Sequence, residues 1–164
     1  DLRFDFVTMF HVLEHLSDPR KGLRYAAGLL KPRGILLLQV PNMSSIQAGL
    51  FRSRWYGLDA PRHVINFSPK ALHLLLQEAG CAFRLVRRFS LRDNPASNAS
   101  SLAPRLDPIG RAGRSLASNP WLDGAAGFAY LGLFLLSIPP AFAESVLGRG
   151  GTIWACARFG NRGS

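Results

Sequence analysis

Residues 4–19 read FDFVTMFHVLEHLSDP, and the fold turns on how this stretch divides. Its first seven residues, Phe4–Phe10, are β-branched and aromatic and too few for an independent helix, so they predict a buried strand. At its far end Asp18-Pro19 is a helix start, an acceptor side chain for the first free amides followed by the residue best suited to the first turn. Between strand and helix stands His11-Val12-Leu13-Glu14-His15.

Downstream, Leu23, Ala26, Ala27 and Leu30 recur at helical spacing until Pro32 and Gly34, which are expected to end the helix. Ile35–Val40 is a continuous apolar run, the pattern of a strand covered on both faces. Strand, helix and strand make a βαβ unit. Residues 41–67 read as a loop broken by Pro41, Gly49, Gly57 and Pro61. Ser68-Pro69 restarts a helix with Leu72, Leu75, Leu76 and Ala79 on one side, and Gly80 stops it. Phe83–Leu91 alternates as a less buried strand, residues 92–124 are rich in Pro, Ser, Asn, Gly and Arg and read as irregular, and Thr152–Phe159 forms a last strand entered through glycines. The order predicts an α/β layered fold.

At 164 residues the chain suits one domain. Its apolar content of 48% excludes disorder as the default, and its net charge of +10 favours anionic partners. The charge is spread, with 13 Lys+Arg against 6 Asp+Glu in residues 1–90 and 7 against 4 in residues 91–164. No basic stripe with stacking aromatics stands out, so nucleic acid is not the expected partner. Cys81 and Cys156 stand far apart without a metal spacing, which suits reduced structural thiols in a cytoplasmic protein. The chain opens in a strand without an initiator Met, and an incomplete protein is expected.

As a bare pattern, H-x-x-E-H is the zinc signature of the inverted zincins, with His11 and His15 as ligands and Glu14 as base. That chemistry needs both histidines on one helix, whereas here a strand runs into His11 and the helix starts after His15. A third ligand is also needed, and Glu78 is the only downstream glutamate in a predicted helix. A metallohydrolase is therefore the least favoured reading.

Three segments together carry a resemblance: FDFVTMFHVLEHLSDP, LLKPRGILLLQVPN (29–42) and WYGLDAPRHVINFSPKALHLLLQEAG (55–80) resemble the C-terminal half of class I S-adenosylmethionine-dependent methyltransferases. The subgroup is that of small bacterial enzymes associated with ubiquinone or cell-surface glycan biosynthesis. The resemblance implies a partial Rossmann-like sheet in which Phe4–Phe10, Ile35–Val40, Phe83–Leu91 and Thr152–Phe159 are the fourth to seventh strands, the last antiparallel between the fifth and sixth. It implies that residues 1–91 and 148–160 form that half-domain, with 92–147 as an irregular and hydrophobic insert. The family's Gly-rich loop and ribose-binding acid have no counterpart here, and Gly148-Arg149-Gly150-Gly151 does not open a helix after a strand.

By the same resemblance Phe10, His11 and Val12 line the methionine side of S-adenosylmethionine, and Glu14 and His15 face the acceptor. His15 or His11 would take a proton from an acceptor hydroxyl, imidazole being the side chain that exchanges protons near neutral pH. The alternative for His15 is a structural hydrogen bond at a strand-to-helix corner. Some ubiquinone-pathway relatives carry an acidic residue, then Glu-His, on this turn and use Mg²⁺; His11 in the first position suits a hard cation less well, so no metal is expected. Trp55, Tyr56, Arg62 and His63 are the candidate acceptor-binding residues, Arg62 either gripping an anionic group or pairing with Asp59, and the aromatic pair either walling the site or pinning the loop.

Residues 124–143 carry no charge and approach the ~20 residues of a bilayer span. A single crossing would part strands that share one sheet, which leaves an interfacial or re-entrant helix broken at Pro139-Pro140, a lid, or a dimer contact. Arg105, Arg111 and Arg114 upstream suit anionic head groups. The expected function is methyl transfer to a small hydroxylated or lipid-linked acceptor, at the inner face of the membrane in the latter case. The alternative is a non-catalytic membrane-associated or interaction module.

Overall fold

The computed structural model describes residues 2–112 and 120–159. Four strands form one sheet in the order β1 (Phe4–Phe10), β2 (Leu30–Pro41), β4 (Thr152–Phe159), β3 (Cys81–Arg87). β1 and β2 are parallel, and β4 runs antiparallel between β2 and β3. The sheet is thus the mixed α/β arrangement expected, with the last strand inserted antiparallel.

Helix α1 (Pro19–Leu29) joins β1 to β2 and starts as the sequence predicts, Asp18 accepting the Lys21 amide at 2.9 Å with Pro19 in the first turn. It ends at Leu29 rather than at Pro32 and Gly34, because Leu30 is already extended and pairs with Phe4. The register then jumps to Phe6 opposite Ile35, so Lys31–Gly34 bulge from the ladder and the two breakers act inside the strand. Helix α3 (Pro69–Glu78) is capped by Ser68, which accepts the Ala71 amide at 3.1 Å, and Gly80 at φ 74° turns the chain into β3.

Leu36, Leu38 and Val40 of β2, with Ile153, Ala155 and Ala157 of β4, meet Leu23 and Ala26 of α1 and Leu72 and Leu76 of α3. This is the core. Against expectation, β1 is not a buried strand: Met9 alone of its residues is buried, while Phe4, Phe6 and Phe10 are exposed. One face of the sheet carries the helical layer, and on the other, among the described residues, Ile35, Leu37, Trp154 and Cys156 are only half covered while Gln39 is buried against Asp93.

Three further expectations are corrected. The 41–67 loop contains a short helix, α2 (Ile46–Phe51), capped by Ser45. β3 begins at Cys81 and ends at Arg87, before Leu91, because Ser90 and Asn94 capture the backbone there: Ser90 Oγ accepts the Asp93 amide and Asn94 Oδ1 accepts the Ser90 amide. Residues 92–124 are not irregular where described, forming α4 (Asp93–Leu102), α5 (Pro108–Ala112) and the start of α6 (Pro120–Leu136). Arg114 lies outside the described residues.

The uncharged stretch runs through α6 and breaks at Ser137, two residues before the prolines, which occupy the first turn of α7 (Ile138–Val146). Trp121–Val146 is long and apolar enough to cross a membrane by length and composition. Its flanking strands β3 and β4 are hydrogen-bonded neighbours, so the helical pair leaves the sheet after the edge strand β3 and returns to the strand beside it. Gly150 permits that return: a Cβ there would stand 1.8 Å from the Arg88 carbonyl oxygen.

Candidate active site

His11 ends β1 in the left-handed region, φ 52°, while its amide still donates to Gln39 O at 2.9 Å. One 3-10 turn, Leu13–His15, follows. Leu13 is buried in the core and fixes the turn, and the backbone carbonyl of Glu14 accepts amides from Val64 at 2.9 Å and Ile65 at 3.2 Å. The 55–67 loop is thereby fastened over the turn, which brings His63 beside Glu14 although 48 residues separate them in sequence. With no regular helix through 11–15, the zincin geometry is absent, and Glu78 is engaged elsewhere in an ion pair with Arg20 at 2.6 Å.

Glu14 is 1% exposed. Its Oε1 accepts from His11 Nδ1 at 3.0 Å, and its Oε2 is buried with no partner among the described residues. His15 Nδ1 lies 2.9 Å from the carbonyl oxygen of Arg62, and His63 Nδ1 lies 2.8 Å from that of Gly57. A carbonyl only accepts, so in both rings Nδ1 is the donor, and in a neutral ring the lone pair would lie on Nε2. The two rings meet edge to face at 4.7 Å. His63 Nε2 is 4.0 Å from Glu14 Oε1 and 3.8 Å from Asp59 Oδ2.

His11 differs from them. Its Nε2 faces Asp93 Oδ2 at 3.6 Å and its Nδ1 faces Glu14, so Asp93 first and Glu14 second hold the imidazolium against the cost of burial and raise its pKa to about 9. Gln39 Nε2 stands 3.2 Å from the same ring nitrogen, a contact suited to neutral imidazole, but two carboxylates outweigh one amide dipole. Burial pushes Asp93 upward, yet hydrogen bonds from His11, Ser90 and Gln39 prevail and lower it to about 2. Near neutral pH His11 is already protonated and accepts no proton, which leaves His15 of the two expected bases.

A cavity of about 390 Å³ opens at the C-terminal ends of the parallel strands, where ligand crevices of such sheets lie. His11, His15, Trp55, Tyr56, Arg62 and His63 all border it. Phe10, Val12 and Glu14 do not: Glu14 sits beneath the surface, and Phe10 packs on Trp154 with ring centroids 5.0 Å apart. Trp55 is buried and donates to Gln47 Oε1 at 3.2 Å, pinning its loop while its ring edges the cavity. Arg62 pairs with Asp59, Nη2 to carboxylate at 2.8 Å, at the rim. Burial, reinforced by the charges of Asp107 and Asp59, raises the Tyr56 phenol above its ordinary value.

The opposite wall comes from the segment read as irregular, joined by Tyr130 of the uncharged stretch. Asp93, Ser100, Asp107 and Tyr130 border the cavity, Ser100 Oγ donating to Asp107 Oδ1 at 2.8 Å and lying 3.1 Å from the Tyr130 hydroxyl. Nothing in the composition of 92–112 marked these residues. The polar pattern that hid helix α4 also hid its wall.

A parallel βαβ pair extended by an antiparallel last strand is an open α/β sheet, and in such sheets ligands bind at the C-terminal strand ends where this cavity lies. The methyltransferase domain family matches residues 1–86, more than half of the chain, and the chain belongs to that family, whose methyl donor is S-adenosylmethionine. It is 32% identical over 71 residues to the ubiquinone biosynthesis O-methyltransferase of Coxiella burnetii (strain RSA 493 / Nine Mile phase I), covering 43% of this chain and 28% of that protein. It is 28% identical over 116 residues to the ubiquinone biosynthesis O-methyltransferase of Proteus mirabilis, covering 64% of this chain and 44% of that protein. A solved S-adenosylmethionine-dependent methyltransferase from Thermotoga maritima is 25% identical with a TM-score of 0.46, over 53% of this chain and 42% of that one. The chain spans less than half the length of these relatives.

Proposed function

We propose that this chain is the acceptor-facing half of an S-adenosylmethionine-dependent O-methyltransferase, residues 1–91 and 148–160 forming the half-domain and 92–147 closing the acceptor pocket. The observation that carries this reading is the 390 Å³ cavity at the strand ends, bordered by His15, whose Nδ1 is engaged by the Arg62 carbonyl and whose Nε2 is the ring nitrogen left for an acceptor. The half-covered sheet face and the unpaired outer edge of β1 support a second, cofactor-binding layer, since parallel strands are stable when covered on both faces. Phe10, His11 and Val12 border that side and meet the methionine end of the donor.

The acceptor hydroxyl hydrogen-bonds to His15 Nε2. As its oxygen attacks the donor methyl carbon, the proton passes to Nε2, the carbon–sulfur bond breaks with both electrons going to sulfur, and S-adenosylhomocysteine leaves. Glu14, clamped by His11, stabilises the charge that forms on the imidazole pair. Trp55 and Tyr56 wall the acceptor ring, and Arg62, held by Asp59, offers a cationic edge to an anionic substituent. The named relatives act in ubiquinone biosynthesis, so an ortho-dihydroxylated aromatic ring with a lipid tail is the acceptor class proposed here. Such an acceptor is reached from a membrane surface, and two observations support docking at the cytoplasmic face: α6 and α7 expose Phe128, Leu131, Leu135, Leu136, Phe142 and Val146, and the chain's positive charge suits an anionic leaflet.

The test is methyl transfer to catechol by protein containing the whole methyltransferase domain. His15→Asn is expected to lower kcat by about 10²–10⁴ with KM for S-adenosylmethionine unchanged, the range for loss of a general base. An unimpaired His15→Asn enzyme would remove His15 from the chemistry.

A further inference from the structure

We infer that Ser97, Asp107 and Tyr130 form a hydrogen-bond-accepting wall that selects acceptors carrying a second donor group, an ammonium in preference to a hydroxyl, besides the oxygen held at His15. This rests on the reading of the same cavity as the acceptor pocket, and it adds what that pocket admits.

Three features converge on it. Asp107 is 7% exposed, and its carboxylate accepts the Ser100 hydroxyl at 2.8 Å and the Gly110 amide at 2.7 Å, yet it has no ion-pair partner among the described residues. The other two aspartates that border the cavity are balanced, Asp59 by Arg62 at 2.8 Å, and Asp93 by Arg92 at 3.2 Å and His11 at 3.6 Å. A buried carboxylate held by two neutral donors gains most from a cation, and the cavity is the side from which one reaches it. The second feature is the direction of the hydrogen-bonded chain. A carboxylate only accepts, so the Ser100 proton lies toward Asp107, and across the 3.1 Å to Tyr130 the phenol donates to Ser100 Oγ. Tyr130 has thereby used its one hydrogen and offers the cavity only lone pairs. Third, Ser97 stands one turn before Ser100 on α4 and borders the same cavity, its Oγ buried and without a partner among the described residues. A hydroxyl so placed is costly unless a ligand satisfies it.

The Gly110 bond caps α5 and accounts for Asp107 Oδ2 alone; the cap needs neither Ser97, Ser100 nor Tyr130. The cavity is polarised, His15 and Arg62 coming from one side and Asp107 and Tyr130 from the other. An acceptor whose hydroxyl is held at His15 turns its other end toward Asp107 and Tyr130. A donor group there completes their hydrogen bonding, whereas an apolar group of the same size leaves them unpaired, the circumstance in which a site rejects an analogue most strongly.

The experiment measures binding to the 164-residue chain by isothermal titration for three catechols that differ in one group of nearly equal size: 4-(aminomethyl)catechol, 4-(hydroxymethyl)catechol and 4-ethylcatechol. Wild type should bind the ammonium compound about 10–150-fold and the alcohol about 2–10-fold more tightly than 4-ethylcatechol, the ranges for one hydrogen bond to a charged and to a neutral group. In Asp107→Asn the preference for the ammonium should fall to that for the alcohol, and in Tyr130→Phe the preference for the alcohol should vanish, each variant being checked for native circular dichroism. The ratio between compounds is the readout, because a side chain that only supported the fold would weaken all three alike. Equal binding of the three by wild type, no binding of any, or ratios unmoved in either folded variant would overturn the wall. Those results would leave intact methyl transfer to catechol, measured separately on protein containing the whole methyltransferase domain. Discrimination among the three without any methyl transfer would keep the wall and remove the proposed function.

Discussion

His11 sits with a positive φ at the end of β1, its ring charged between Glu14 and Asp93, and its consequence is a pH dependence of known sign. Its folded pKa of about 9 lies above the ordinary 6.5, so the stabilisation it provides is complete below pH 6.5 and is lost as pH rises through 9. Thermal unfolding midpoints measured from pH 6 to 10 should fall across that window. His11→Gln should flatten the fall; an unchanged pH profile in this variant would mean the ring is not charged. The turn itself was legible, because the strand before it and the Asp18 cap behind it leave no room for a helix through residues 11–15. His63 was legible as a loop residue bordering an acceptor but not as a neighbour of Glu14. That contact is made by backbone hydrogen bonds from Val64 and Ile65 to Glu14, which no side-chain pattern encodes.

At the scale of elements, helix starts with a side-chain acceptor before proline were readable to the residue, as at Asp18 and Ser68. Helix α4 was not, since Asn94, Pro95, Ser97, Asn98, Ser100 and Ser101 are poor helix formers in isolation. Tertiary contacts overrode propensity: Asn94, Asn98, Ser100 and Ser101 are buried, and Pro95 falls in the first turn, where it does no harm. The α6–α7 pair was legible as apolar and, because its flanking strands share one sheet, as something other than a single crossing, and Phe128 of α6 is 79% exposed. Replacing Phe128, Leu131 and Leu135 together with serine should abolish sedimentation with vesicles rich in anionic phospholipid. It should leave the unfolding midpoint within a degree or two, since these side chains are half exposed or more and contribute little to the core. Vesicle binding equal to wild type would show that α6 does not dock.

The whole sheet is where expectation and structure agree best: two apolar runs separated by a helix marked the parallel pair, a distant run entered through Gly148–Gly151 marked the last strand, and its antiparallel place in the sheet followed from the family resemblance. Strand burial was the exception. Aromatic content predicted a covered β1, yet Phe4, Phe6 and Phe10 face outward, as they would on a surface that a second layer is built to cover. The division of labour between an acceptor half and a donor half is the central claim, and it is tested directly by titrating the 164-residue chain, followed by histidine-ring NMR, with catechol and with S-adenosylmethionine in parallel. The account predicts that catechol shifts the His15 and His63 resonances while S-adenosylmethionine binds too weakly to saturate at micromolar concentration, the Gly-rich loop being absent from these residues. Saturable micromolar binding of S-adenosylmethionine, with no response to catechol at either histidine, would contradict it.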